Sequence, residues 1–273
     1  MTPRPPDASA EGWRIDHLID STLVLTGVLA ALALGWLLWA AVRWRRGRRP
    51  QAAPLRSDTW RAIAIPIAVA TLVLAVVDGR LFALSMRDLR GTFLDTARVE
   101  RDPAAVRVEV NAQRWAWNVR HAGLDGVFAT DDDVVTLGDL RVPVGRPVIV
   151  QLASSDVVHS FYVPALRVKL DAVPGRLHTT WFRAVRAGSF EIACAQHCGV
   201  HHDRMRGVVT AMAPDAFDRW AAAASRDALA IAAEDARARA DEPTRAPPPE
   251  VDRLRDPAEA RRWGWPWRPG GAR

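Results

Sequence analysis

Residues 194–205 read Cys194-Ala-Gln-His-Cys198-Gly-Val-His-His202-Asp-Arg-Met205. Two thiols four positions apart are followed by imidazoles and a thioether, a soft ligand set that favours copper over hard cations. These are the only cysteines of the chain. A disulfide between them is open to a domain in an oxidising compartment, but it leaves the surrounding histidines and methionine unexplained. Zinc on two cysteines and two histidines is a second possibility, although zinc does not use methionine. Covalent haem needs C-x-x-C-H, so the spacing C-x-x-x-C excludes it, and a thioredoxin-like pair fails on the same spacing. A mononuclear blue-copper site needs one cysteine with two histidines and a methionine. Two thiolates in one loop can instead bridge two copper ions, each completed by one terminal histidine. The residue count then matches: Cys194, Cys198, His159, His202, Met205 and one backbone carbonyl.

Outward from this loop the pattern is that of short strands. Val106, Val108 and Val110 alternate with Arg107, Glu109 and Asn111, the period of a half-buried strand. Residues 146–152, 177–182, 189–193 and 207–212 predict further strands. Turns are expected at Gly138, Val142-Pro143, Gly145, Pro174-Gly175 and Gly188. Many short strands at this spacing over residues 98–220 predict a β-sandwich or small barrel of ordinary domain size. Residues 214–242 are rich in Ala, Arg and Asp and predict a helix. The whole stretch 221–273 is expected to be a partly disordered extension, with little order in the Pro- and Arg-rich end from 243.

Before the strands lie two apolar runs. Thr22–Val42 is 21 residues without a charge, long enough to span a bilayer. A second span is expected over 62–84, with Pro66 near its start and Asp78 and Arg80 toward its end. Between them, segment 43–61 carries seven arginines against the single acid Asp58. That stretch accounts for the whole formal net charge of +6. A sequence pI near 10.6 would otherwise suggest nucleic acid. From Val99 to Trp220, however, 14 acidic residues meet 14 basic ones, so no nucleic-acid-binding face is implied. Arg-rich short connectors stay cytoplasmic. This predicts residues 1–21 and the β domain on the outer side of the membrane, in contact with lipid only through the hairpin. Trp36, Trp39, Trp44 and Trp60 fit an interfacial aromatic belt at the cytoplasmic ends.

The loop resembles that of cytochrome c oxidase subunit II, the CuA-containing subunit of haem–copper oxidases, whose pattern C-x-x-x-C-x-x-x-H-x-x-M is matched by Cys194, Cys198, His202 and Met205. Two further stretches are similar to that family. One is Ser154-Ser-Asp-Val-Val-His159-Ser-Phe161 with Lys169-Leu-Asp-Ala-Val-Pro-Gly-Arg176, and the other is the Trp-rich Gln113-Arg-Trp115-Ala-Trp117. The resemblance covers roughly residues 20–220. It implies a two-helix transmembrane hairpin plus a cupredoxin-like Greek-key barrel in a bacterial-type plasma membrane, packed on subunit I and with subunit III as a further partner. It implies an oxidoreductase subunit with a binuclear copper centre and no covalent haem. Electrons would come from cytochrome c through Trp115 and pass to subunit I, where oxygen is reduced and protons are pumped. It also implies that Gln196 supplies a backbone carbonyl to copper. Family members commonly have Glu at that position, helping to hold magnesium or manganese at the subunit interface. Gln is a poorer ligand for such hard cations.

Other departures are Arg114 beside Trp115, and Thr59 (with Asp58 adjacent) where many members carry Glu at the mouth of a proton path. Asp131-Asp132-Asp133 is either an attractor for a basic donor or a solvated turn. His121, His178, His197 and His201 are spare, and the spacing favours His202 over His201. The runner-up readings are the copper subunit of a related nitric oxide reductase and a copper-storage or copper-delivery protein.

Overall fold

The computed structural model describes residues 4–45 and 59–241. Most of the Arg-rich connector, Asp58 and the Pro- and Arg-rich end from 242 lie outside the described residues. The chain divides into two units, one of residues 14–92 and the other of the remainder.

In the first unit, α1 (Gly12–Arg43) contains the uncharged run and extends ten residues ahead of it. The return rod starts with α2 (Trp60–Val73) and passes through a π-type segment, Leu74–Asp78. It continues as α3 (Gly79–Asp88) and a second π segment, Leu89–Phe93. Both rods are long and apolar enough to cross a membrane. Thirty-two helical residues reach about 48 Å at 1.5 Å each, more than a hydrocarbon core of about 30 Å. Because α2 begins at Trp60, Pro66 falls in its second turn and not at its start. The missing N–H therefore removes one interior helix bond, a loss that spanning helices tolerate. Arg14 in α1 and Asp88 in α3 form an ion pair of 2.9 Å, which ties the two rods together. Trp36, Trp39 and Trp44 form a chain of ring contacts at the far end of α1.

The second unit is a sandwich of two five-stranded sheets. One has the order β3 (Val134–Leu137), β2 (Ala116–His121), β1 (Val106–Gln113), β5 (Pro147–Ser154), β8 (His178–Arg183). The other has the order β4 (Asp139–Pro143), β10 (Arg206–Met212), β9 (Gly188–Cys194), β6 (His159–Val163), β7 (Val168–Ala172). Neighbours pair antiparallel except β1 with β5 and β4 with β10, the non-sequential crossings of a cupredoxin-like Greek-key barrel. The alternation in β1 turns Val108, Val110 and Ala112 inward, where they meet Leu140, Phe161, Ile192 and Val209 of the other sheet. The interior strand β5 is apolar on both faces. Val148, Val150 and Leu152 face the core, while Ile149 packs with Val99 of α4 (Thr96–Glu100) and Trp181.

Two expectations need correction, and one attachment had no signal in the sequence. Val142-Pro143 is not a turn but the end of β4, with Val142 fully buried. The strand is at the sheet edge, where a proline costs no interior ladder bond, and the chain reverses at Gly145 (φ 81°). The Asp131–Asp133 run is not a solvated turn. Asp132 is buried, and its carboxylate accepts the amides of Leu124 and Asp125 and the hydroxyl of Thr130. Asp133 accepts the Ala129 amide and faces the buried Arg120, which also pairs with Glu109. Finally, the polar start of the chain joins the sandwich. Ala8 and Ala10 donate to the carbonyls of Ala165 and Arg183, Val185 donates to Ala8, and the Ala8 side chain is in the core. Gly12 closes this segment onto α1, because a Cβ there would lie 2.4 Å from Ser9 Oγ.

The last element, α5 (Pro214–Asp241), lies against the sandwich through Phe217 and Trp220, whose rings contact the buried imidazole of His121.

Candidate metal centre

Four connections converge at one end of the sandwich: the β1–β2 turn, the β5–β6 loop, the β7–β8 loop and the β9–β10 loop. The last is closed at its base by Cys194 N–H donating to the Met205 carbonyl at 3.2 Å. Inside it, His202 N–H donates to Gly199 O and Met205 N–H to His202 O, so the loop folds back and turns Met205 into the core. His159 opens β6, and the pairing of Phe161 with Cys194 sets β6 directly beside the end of β9.

The result is a compact cluster. His159, Cys194 and Cys198 are all buried and bring their ligating atoms within 4.8 Å of one another. The two Sγ atoms are 3.8 Å apart and unbonded. His159 Nδ1 lies 4.0 Å from Cys194 Sγ and 3.1 Å from Met205 Sδ. Met205 Sδ is also 3.9 Å from Cys198 Sγ. His202 reaches the group through Cys198, with Nδ1 at 3.6 Å from its sulfur. The Gln196 carbonyl receives the Cys194 thiol at 3.1 Å, while the Gln196 side chain is exposed. His159, Cys194, Gln196, Cys198, His202 and Met205 thus lie around one point. His201 is turned away, its ring 4.6 Å from that of Trp115. His197 meets His202 edge-on, with ring centroids 5.5 Å apart. His178 Nδ1–H donates to the Asp171 carbonyl, and His121 sits beneath α5, away from the cluster.

The donor set fits copper. Two sulfurs 3.8 Å apart are closer than two metal–thiolate bonds of about 2.3 Å each, so one ion can touch both. The soft thiolate, imidazole and thioether donors suit copper. The electrostatics call for a cation. Burial opposes ionisation of Cys194, but hydrogen bonding with His159 and with the loop backbone outweighs it and lowers the pKa. Burial and the neighbouring Cys194 sulfur push the Cys198 thiol up. One thiolate forms readily and the second needs positive charge beside it, as a bound metal provides.

Two supporting residues were not singled out from the sequence. Asp156 places Oδ1 at 2.8 Å from His159 Nε2 and accepts the Arg114 amide on Oδ2 at 2.8 Å. The readable signal was its three-residue spacing from His159. Gly199 has φ 130°, and a Cβ there would lie 3.4 Å from the Trp115 indole, so the glycine lets the ring lie against the ligand loop. Arg114 Nε donates to Cys198 O at 3.1 Å. Residues 114 and 115 therefore both touch that loop.

Residues 116–212 match the family model described as cytochrome c oxidase subunit II, periplasmic domain. The chain is 29% identical over 242 residues to the alternative cytochrome c oxidase subunit 2 of Bradyrhizobium diazoefficiens, covering 79% of this chain and 81% of that protein. It is 26% identical over 249 residues to cytochrome c oxidase subunit 2 of Synechocystis, covering 80% and 75%. It is 30% identical over 226 residues to cytochrome c oxidase subunit 2 of Alkalihalophilus pseudofirmus, covering 81% of this chain and 60% of that protein.

Proposed function

Because this chain belongs to the cytochrome c oxidase subunit II family, we propose that its sandwich passes electrons from cytochrome c through a binuclear copper centre to the haem–copper subunit I. The protein is a membrane-anchored, copper-containing electron-transfer subunit of a terminal oxidase complex. The finer assignment rests chiefly on one observation: two unbonded sulfurs 3.8 Å apart lie between the Nδ1 atoms of His159 and His202.

In this reading Cys194, Cys198, His159, His202, Met205 and the Gln196 carbonyl would together hold the two ions. Bound there, the copper pair supplies a one-electron redox centre whose charge is shared between two metals. Asp156 holds His159 by Nε2 and leaves Nδ1 to face the sulfurs. Trp115, lying on Gly199 and His201, receives the electron from the docked donor and leads it to the ligand loop. The burial of His159, Cys194, Cys198 and Met205 excludes water from the centre. It favours a fixed redox cofactor over the exchangeable copper of a storage or delivery protein. The relatives' names favour an oxygen reductase over a nitric oxide reductase. Because Gln196 would use its backbone, its exposed neutral side chain leaves the copper set intact and weakens any magnesium or manganese site at the interface.

Residues 22–42 and 62–84 are assigned as the spans, contacting subunits I and III. Residues 43–61 are the cytoplasmic connector of a bacterial-type plasma membrane, and 98–220 are the copper domain. Residues 1–21 and the copper domain are assigned to the outer side. Residues 221–273 are a C-terminal extension.

The test is copper analysis and electron paramagnetic resonance of the purified oxidase. Two coppers per chain beyond the subunit I metal, with hyperfine structure from two equivalent nuclei, are expected. Hyperfine structure from a single copper at this site would overturn the binuclear assignment.

A further inference from the structure

We infer that the face around Trp115 receives a donor whose docking rim is apolar and acidic, and not one ringed by basic side chains. This rests on the reading of Trp115 as the residue through which electrons arrive. The ring of Trp115 packs on His201, which is exposed, and the adjacent Val200 is 84% exposed. Gln196, His197 and Arg114 are exposed around them. The patch is thus aromatic, aliphatic and neutral, with a guanidinium at its edge.

The charges of the four converging loops point the same way. They carry Arg114, Arg176 and Arg204 against Asp156 and Asp203. Asp156 is committed inward, to His159 Nε2 and the Arg114 amide. That leaves Asp203 as the one carboxylate of these loops not so engaged, against three arginines in the count. Nearby acids on the strands are matched: Glu191 pairs with Arg206, Asp139 with Arg141, and Asp171 with Lys169. The dense acidic run 131–133 lies beyond the far end of β2. Six residues at about 3.3 Å each place it on the order of 20 Å from the Trp115 turn. Two of its three carboxylates are also engaged by the chain itself. Among the described residues of these loops a basic rim would therefore meet only Asp203, whereas acidic rim residues would meet Arg114, Arg176 and Arg204. Complementary rims set the rate of encounter and its salt dependence.

The test uses the intact oxidase and one small c-type cytochrome in two forms, unmodified with its lysines and succinylated, so that the haem is the same and the rim charge is reversed. Reduction of the copper centre is followed by stopped flow at rising ionic strength. The succinylated form is expected to react about tenfold faster at low salt, with the two rates converging as salt screens the rims. In the double variant R176E/R204E the preference reverses, while the visible spectrum of the copper centre monitors the loop. A faster unmodified form at low salt, or equal rates at every salt, overturns this inference alone. Failure of both forms while dithionite still reduces the centre overturns the cytochrome-donor reading beneath it, and the inference falls with it.

Discussion

Asp156 Oδ1 lies 2.8 Å from His159 Nε2, and the opposite nitrogen of that imidazole faces Met205 Sδ at 3.1 Å. The carboxylate fixes both the ring angle and the tautomer of this buried imidazole, which is how outer partners tune metal sites. Asp156→Asn keeps the shape but removes the anionic acceptor. Copper affinity, measured by competition with a chelator, is expected to fall about 10- to 100-fold, and Asp156→Glu to recover part of it. Unchanged affinity in Asp156→Asn would mean that the sulfurs and Met205 alone orient His159.

The two neighbouring histidines have opposite environments, and that separates their roles. His202 Nδ1 is 3.6 Å from Cys198 Sγ, while His201 lies on Trp115. His202→Ala should abolish the binuclear signal. His201→Ala should retain it, with full copper content, and slow reduction by the protein donor. Loss of copper from His201→Ala would reverse the ligand assignment.

How much of this was readable depends on the range of the forces involved. Cys194, Cys198, His202 and Met205 were legible as a set because a metal imposes ligand spacing within one loop. His159 entered that set only as a donor that completed the count, since its closeness to Cys194 comes from the β6–β9 pairing. β1 and β5 were readable from their burial patterns. β4 was not, because Pro143 reads as a turn until its place on a sheet edge is known. Residues 8–10 carry no hydrophobic period, and their attachment is made by backbone bonds and one small buried side chain, that of Ala8. Asp132 and Asp133 read as solvated because the loop amides and the Arg120 guanidinium that satisfy them leave no local signature.

Gly199 is the tightest point between the ligand loop and Trp115. An alanine there meets a φ of 130° and a Cβ 3.4 Å from the indole. Backbone strain of this kind costs roughly 1–3 kcal/mol. The chain should therefore melt at lower temperature, and Trp115 should shift outward. Intrinsic fluorescence and the rate of donor oxidation are expected to change together. A melting point and rate equal to wild type would show that the loop relaxes freely.

Cys198→Ser removes one of two sulfurs 3.8 Å apart and leaves His159, Cys194 and Met205 together. One copper with single-ion hyperfine structure is the expected product, in place of the binuclear spectrum. Retention of the two-nucleus pattern would remove Cys198 from the ligand set.

His121 gives a pH dependence that is separate from the copper centre. Burial beneath Phe217 and Trp220, with the nearby charge of Arg141 adding to it, lowers its pKa to about 4. Neither ring nitrogen has a hydrogen-bond partner. The unfolded chain takes up a proton near the ordinary value of about 6.5, whereas the folded chain resists it down to about 4. Between these values the unfolded state binds more protons, so stability falls as pH falls. The contribution is fully present above pH 6.5 and lost progressively toward pH 4. It is on the order of 3 kcal/mol at its largest, at 1.36 kcal/mol per pKa unit. Replacing His121 with Phe removes the titration and fills the same apolar space. Melting temperatures of the two proteins should therefore diverge as pH drops from 6.5 to 4, the variant losing less. Parallel curves across that window would mean that α5 lifts off and lets the imidazole reach water before it protonates.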